Sequence, residues 1–445
     1  MDHIAPELLE QHSHTRRSSA ASSQEEPVPP SLSCSSSSSS GPATAPSPGT
    51  DSMLDLVQAD LDQLYFDRVH PICPVIHQRR YFARIETEPP SLARACLRSA
   101  MRTVAAAMSA QFRRLSTSLY VETSRVLKEL DTLETTPPLE QIQALILIAH
   151  YELLRMDEAR AVGTARRCFR LIQLCRLQDT DAYNAGFSGT NVLDFVAAEE
   201  RRRTFWVAYC FDRLLSSRHE WPLTLQEEEA IWTRLPVAED IFQSYQPPEI
   251  EMDFLHEAIA TSGQKAMPPF AESIVLTTLY GRTMNLSRMA LLSTLDMHQF
   301  WTRHQALASV IDKRAQFWAW ALPSQAGVAD AVVAFVHILS KAAVMYIGEV
   351  AQLATAEVYM NGTELPSLDP QRAGQAASEL VQLFRVMAPV NCFKVHPFVP
   401  SMIAKGARYL SRYGSGQEVE ELRQTLRDLQ AVNNLAREVL RGMDS

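Results

Sequence analysis

The sequence predicts an all-α fold, and three observations carry that reading. Apolar residues recur at three- and four-residue steps in one segment after another, which is the stripe of an amphipathic helix. The 445 residues include only 15 glycines, about half the usual share, where sheet-rich folds spend glycine on turns and close backbone approaches. No segment alternates polar and apolar residues in the two-residue rhythm of a half-buried strand.

The elements follow in order. Leu54, Val57, Leu61, Leu64 and Tyr65 form a first stripe, ended by Pro71 and Pro74, since proline lacks the amide donor and clashes with the preceding turn. Leu92 to Met108 and Leu119 to Leu130 read as two further helices. Pro138 opens a helix through Leu139, Ile142, Leu145, Ile146 and Ala149 that is apolar on more than one side. Further helices are expected over 165–177, 192–216, 252–261, 271–290, 297–319, 327–356, 370–387 and 400–412. A last one, from Glu418 to Arg441, carries Leu422, Leu426, Leu429, Asn433, Ala436 and Leu440 in step. Its acids (Glu418, Glu420, Glu421) come first and its bases (Arg427, Arg437, Arg441) later, as the helix dipole favours.

Residues 1–52 differ in kind. They hold 15 Ser and 7 Pro, no aromatic residue, and six acids against Arg16 and Arg17. Such a segment cannot bury enough apolar surface to offset its ordering entropy and is expected to be a disordered tail or linker. Residues 53–445 are expected to form one large helical body, in which a boundary near 240–250 would give sub-halves 53–240 and 250–445.

Composition excludes several classes. Cys34, Cys73, Cys96, Cys168, Cys175, Cys210 and Cys392 are odd in number and irregularly spaced, so they form no disulfide framework and no zinc ribbon or finger. The opening MDHIAPELLEQ has no basic and apolar regions of a secretory signal. Uninterrupted apolar runs such as Ala144–Ala149 are six residues long, well short of the ~20 a membrane span needs. A net charge of −9 gives the chain no electrostatic case for holding nucleic acid by itself.

The sequence carries none of the common catalytic signatures. Neither a P-loop nor G-x-G-x-x-G occurs, Gly414-Ser415-Gly416 lacks the nucleophile-elbow frame, and H-E-x-x-H is missing. Asp179 and Asp181 are too sparse for the aspartate-rich magnesium helix of prenyl-transfer enzymes. Cys168 and Cys175 could share a helix face, but two thiols make an incomplete metal site and read better as small apolar side chains. No catalytic residue, metal ligand or cofactor is therefore expected. Trp301 and His304 lie three apart on one helix face beside Arg303, and His396-Pro397-Phe398 forms a proline-stiffened turn. Both histidines are expected to be hydrogen-bonded packing residues, because no carboxylate or thiol stands at ligand spacing.

The densest signal is Glu199-Glu200-Arg201-Arg202-Arg203-Thr204-Phe205-Trp206, followed by Asp212-Arg213, Trp221-Pro222 and Leu235-Pro236. Three successive arginines span 200° of helix and cannot all face one DNA backbone. With Phe205, Trp206, Tyr209 and Phe211 directly behind them, the segment reads as an aromatic core helix with a charged first turn. Arg202 and Arg203 are expected to pair with acids, since a buried Arg–carboxylate pair specifies packing more reliably than it adds stability.

This run resembles the signature of the fungal binuclear zinc-cluster transcription factors, in their regulatory or middle homology domain. Other pieces fit in order: Leu64-Tyr65-Phe66-Asp67-Arg68-Val69-His70-Pro71, Pro74-Val75-Ile76-His77, Gly163 with Ala165 and Arg167, and Pro269-Phe270-Ala271-Glu272-Ser273 with Gly281-Arg282. The last, together with Phe300-Trp301-Thr302-Arg303-His304 and His396-Pro397-Phe398-Val399-Pro400, is similar to members that control secondary-metabolite gene clusters. The chain departs in two places: Glu220-Trp221-Pro222 stands for the family's Gly-Arg-Pro, and Leu174-Cys175-Arg176-Leu177 for its Leu-Gly-Leu-His. The family's DNA reader uses six cysteine thiolates on two zinc ions; residues 1–52 offer one cysteine and two arginines and cannot build it.

The resemblance implies a nuclear transcriptional regulator of a fungal biosynthetic cluster, working through other transcription factors or coregulators and touching DNA only indirectly, with room for a small-molecule effector and no membrane partner. One alternative is the regulatory part of a longer zinc-cluster activator with an upstream exon. A second, from a different class, is an all-α metabolite-binding protein or enzyme of the pathway.

Overall fold

In a computed structural model of the chain, the structure describes residues 48–89, 91–133, 136–182, 192–227, 231–292, 296–320, 330–359, 370–387, 392–414 and 416–444. The chain divides into two units, Met1–Asp51 and Ser52–Ser445. The expected Ser/Pro-rich tail lies outside the described residues apart from the first turn of a helix at 48–52. The second unit carries the fold. Among the described residues there are sixteen α-helices and no strand; Arg234 and Phe254 form one isolated bridge.

The first group is α1 (Pro48–Leu64), α2 (Gln78–Thr87), α3 (Leu92–Ala107), α4 (Ser116–Asp131), α5 (Leu139–Arg155) and α6 (Glu158–Leu174). Local chemistry starts several of them. The Ser91 hydroxyl accepts from the Arg94 amide, and the Asp157 carboxylate from the Arg160 amide at 2.9 Å, each meeting an otherwise orphaned helix-end donor. Asp157 therefore opens α6 at Glu158, seven residues before the apolar stripe alone suggested. The stripe of α1 ends at Leu64 and passes into a π-turn, Tyr65–Val69, before Pro71 closes the segment. In α5 every residue from Gln141 to Leu154 is buried. Its fully enclosed leucines and isoleucines each contribute about 1.5–3 kcal/mol relative to exposure.

The connecting helix α7 (Val192–Ser216) packs on α5 and α6 and, on its other side, on α10 (Pro269–Leu291). Between them lie two short helices, α8 (Glu239–Ser244) and α9 (Leu255–Ala260). The second group is α11 (Met297–Trp320), α12 (Ala331–Tyr359), α13 (Pro370–Met387), α14 (Val399–Tyr413), α15 (Gly416–Leu429) and α16 (Asn434–Asp444). Helix α12 is its centre, packing on α10, α11, α13 and α14. Residues 331–354 are long and apolar enough to cross a membrane, yet most of that stretch is buried in the fold, as a core helix must be.

The expected single last helix is two. The stripe Leu422–Leu440 continues in step, but Asn433 breaks the backbone, donating from Nδ2 to the Pro397 carbonyl at 2.8 Å and accepting the Leu435 amide at 2.9 Å. Side-chain competition of this kind is what asparagine brings to a helix end. One continuous apolar core runs from Leu61 to Leu440 and takes in both expected sub-halves.

Candidate functional site

The charged turn expected at the start of this helix lies inside it: α7 opens at Val192, and Glu199–Arg203 follow two turns later, directly before the buried aromatic run Phe205–Phe211. Arg203, 1% exposed, donates from Nε to Glu199 at 2.9 Å and from Nη1 to Glu239 at 2.5 Å. Its Nη2 reaches the Val237 carbonyl at 2.8 Å, and its guanidinium lies 4.1 Å from the Phe242 ring centroid. Four residues apart on a helix, Glu199 and Arg203 are neighbours by geometry, so the Glu–Arg spacing itself builds the pair. Glu239 on α8 also binds His70 Nε2 at 2.8 Å. Partial burial pushes the half-exposed Glu239 carboxyl up, but the His70 hydrogen bond and the charges of His70 and Arg203 outweigh it and hold the group at about 2.

Arg202 forms a fork onto Asp181, Nε at 2.8 Å and Nη2 at 2.5 Å, with Nη1 3.3 Å from Glu199. Asp181 also accepts the Arg234 amide at 2.9 Å, so the pair pins the extended 231–237 segment to α7. Arg201 donates to the Cys175 carbonyl at 3.3 Å. Glu200 accepts from Arg80 Nη1 at 2.7 Å and from the His77 amide at 3.1 Å. All three arginines thus bind the protein's own oxygens.

Further along, Phe205 and Trp206 are sealed in the core, and Trp206 Nε1 donates to the Arg234 carbonyl at 2.7 Å. Asp212 accepts the Thr224 and Leu225 amides, each at 2.9 Å, tying down the loop after α7. Arg213, fully buried, lies 3.2 Å from the Tyr209 ring centroid and reaches Glu227 at 3.3 Å. Its stem passes so close to Gly281 that a Cβ there would stand 3.1 Å from Arg213 Cγ, which explains the glycine. Pro222 is exposed and follows a strained step: Glu220 has φ +53°, a left-handed backbone that costs a non-glycine residue about 1–2 kcal/mol. The Glu220 carboxylate accepts from Tyr346 Oη at 3.2 Å and Ser287 Oγ at 3.3 Å, so a glycine there would forgo two cross-links to α10 and α12.

The remaining motif residues are also built into the packing. His304 Nε2 meets the Ile347 carbonyl at 3.0 Å, and Trp301 sits edge-on to it at 5.4 Å. Arg303 is exposed on the same helix. His396 stacks on Phe335 at 3.7 Å, Pro397 receives the Asn433 bond, and Phe398 packs edge-on to Phe211 at 5.4 Å. Burial lowers the His396 imidazole well below its usual range. A second buried pair, Glu272–Arg314 at 2.9 Å, locks α10 to α11; Glu272 belongs to the Pro269–Ser273 motif, while Arg314 carried no local signal. Glu239 and Glu227 were missed for the same reason, their partners lying 36 and 14 residues away, and Asn433 was placed in the last helix's stripe without its partner Pro397, 36 residues away. Among the described residues no group of three or more His, Cys, Asp or Glu side chains converges on one point as a metal site. Cys168 is buried and Cys175 half-buried.

Taken together, these contacts define an all-α scaffold whose arginine-rich turn is internal, with its chemistry spent on ion pairs between helices. The chain belongs to the fungal specific transcription factor domain family, whose model matches residues 63–320. It is 52% identical over 396 residues to a transcription factor of Emericella nidulans, covering 79% of this chain and 61% of that one. The asperfuranone cluster transcription factor of Emericella nidulans is 40% identical over 440 residues, with 88% and 65% covered. A pigment biosynthesis transcriptional activator of Monascus ruber is 36% identical over 417 residues, with 88% and 74% covered. The chain therefore spans less than two thirds of the length of the first two relatives. No solved structure matches it.

Proposed function

We propose that this chain regulates transcription of a fungal secondary-metabolite biosynthetic gene cluster, in the nucleus, as a regulatory rather than a catalytic protein. One observation carries the reading: similarity extends over 88% of the chain to relatives named for such clusters, an asperfuranone cluster factor and a pigment biosynthesis activator. The scaffold would reach promoters through other transcription factors or coregulators, because the arginine run of α7 is committed internally and the net charge is −9. A small-molecule effector acting on the helical body belongs to the same reading.

Deletion and overexpression of the gene, read by transcript sequencing, test it. The expected result is a coordinated change confined to one contiguous biosynthetic cluster. Unchanged cluster transcripts in both strains, or changes scattered without a cluster, overturn it.

A further inference from the structure

A crevice between α2 and α3 holds polar groups that the packing leaves unsatisfied. Ile76, Ile85 and Leu97 form its apolar wall, and the space inside is about 50 Å³. That is room for a few waters or one compact head group, and too little for a whole metabolite. Two buried polar atoms on its lining fall short of a protein hydrogen bond: Arg98 Nε has no partner, and Tyr81 Oη faces Asp62 without reaching bonding geometry. Native proteins rarely leave such atoms unpaired, because each costs the desolvation of the group.

The charges on the lining are unequal. Arg80 is held by Glu200 at 2.7 Å, Arg94 by Glu88, and Arg84 Nε stands 3.9 Å from Glu88. Among the described residues Arg98 forms no ion pair. With Glu140 the lining carries four arginines and three glutamates, one positive charge in excess. Asp62, which lies near Tyr81, is already clasped by Arg102 through bonds of 2.7 and 2.8 Å.

We infer that this crevice binds the carboxylate of a small organic acid with an apolar body. A guanidinium fork matches the two oxygens of a carboxylate, and the phenol supplies a third donor. One excess positive charge suits a monoanion, whereas a phosphate dianion would meet three glutamates without enough compensation. The apolar body leaves along Ile85, which is 36% exposed. Arg80 joins the crevice to Glu200 on α7, so the site adjoins the ion-pair hub directly. Carboxylate binding goes beyond the regulatory reading and stands or falls without it.

Titration calorimetry of the full chain at pH 7 and constant ionic strength tests it, with octanoate, acetate, inorganic phosphate and octan-1-ol as probes. Octanoate is expected to bind at one saturable site, more tightly than the other three. Arg98→Met is expected to weaken octanoate about 10- to 100-fold and Tyr81→Phe about 3- to 10-fold, the range for losing charge-assisted and neutral hydrogen bonds. Arg98 Nε makes no protein bond, so Arg98→Met should melt at or above the parent temperature, and Tyr81→Phe, which gives up only the phenol's approach to Asp62, close to it; Arg98→Lys provides a milder replacement that keeps the charge but loses the fork. The proposal is overturned by the absence of saturable octanoate binding, by equal binding of octan-1-ol, by tighter binding of phosphate, or by octanoate binding that all three variants leave unchanged.

Discussion

Replacing Arg203 with methionine removes a guanidinium that four oxygens share: those of Glu199, Glu239, Val237 and Pro74. Methionine fills most of the stem volume, so the change is chiefly one of charge. Glu239 is half exposed, 47% at the side chain, and water takes over its solvation. Glu199 is fully enclosed and keeps only the 3.3 Å contact from Arg202 and the 3.0 Å bond from the Val237 amide. Breaking a buried pair from one side in this way costs about 3–5 kcal/mol. For a body of roughly 400 residues that lowers the melting temperature by about 4–6 °C, given the usual unfolding entropy per residue. Circular dichroism at the helical band during a thermal ramp reads the effect. Adding Glu199→Leu removes the stranded charge and should recover about half the loss or more, since apolar replacements of buried pairs are well tolerated. A melting temperature within about 1 °C of the parent for Arg203→Met would mean that Glu199 finds solvation the geometry denies it, and that the pair is not closed to water.

Two further outcomes follow from the same contacts. Gly281→Ala should lower stability by about 1–2 kcal/mol despite alanine's better helix propensity, since Arg213 is clamped between Tyr209, Glu227 and the new methyl; a thermal ramp showing an unchanged or higher midpoint would contradict the close approach. Burial lowers the His150 imidazole to about 4, against the opposing hydrogen bond to the Ile146 carbonyl. The unfolded chain therefore takes up that proton first. The contribution is complete above pH 6.5 and is lost as pH falls from 6.5 towards 4, at up to about 1.4 kcal/mol per pH unit. Urea melts across that window should give a visibly flatter pH dependence for His150→Phe, and an identical slope would sink the assignment.

How much the sequence disclosed depends on the range of the interaction. Helices α7 and α13 lie where the apolar period put them, because their stripes are long and their ends abrupt. Helix α2 was missed: its stripe is one short set, Tyr81, Phe82 and Ile85, none of them fully buried, and its cap is His77, whose Nδ1 accepts the Arg80 amide at 3.1 Å. The split at Asn433 was hidden because Leu429 and Ala436 stay in phase across the break. At the site, the residue types foretold ion pairs and one partner, Glu199, lay within a helical turn. Asp181, Glu239 and Glu227 are brought in by tertiary folding, which no local pattern encodes. Tyr81 and Arg98 lie in segments whose pairing depends on how α2 rests on α3, so their isolation could be seen only in three dimensions.

The arginine-rich turn of α7 is internal scaffolding and not a phosphate-reading surface. Fluorescence anisotropy of the purified chain with duplex DNA, across roughly 50–200 mM salt, tests it most directly, because each phosphate neutralised by a basic side chain adds about 0.9 to the salt slope. No saturable binding is expected in that range. Binding with a slope of about two or more, weakened selectively when Arg202 or Arg203 is replaced by methionine, would contradict it.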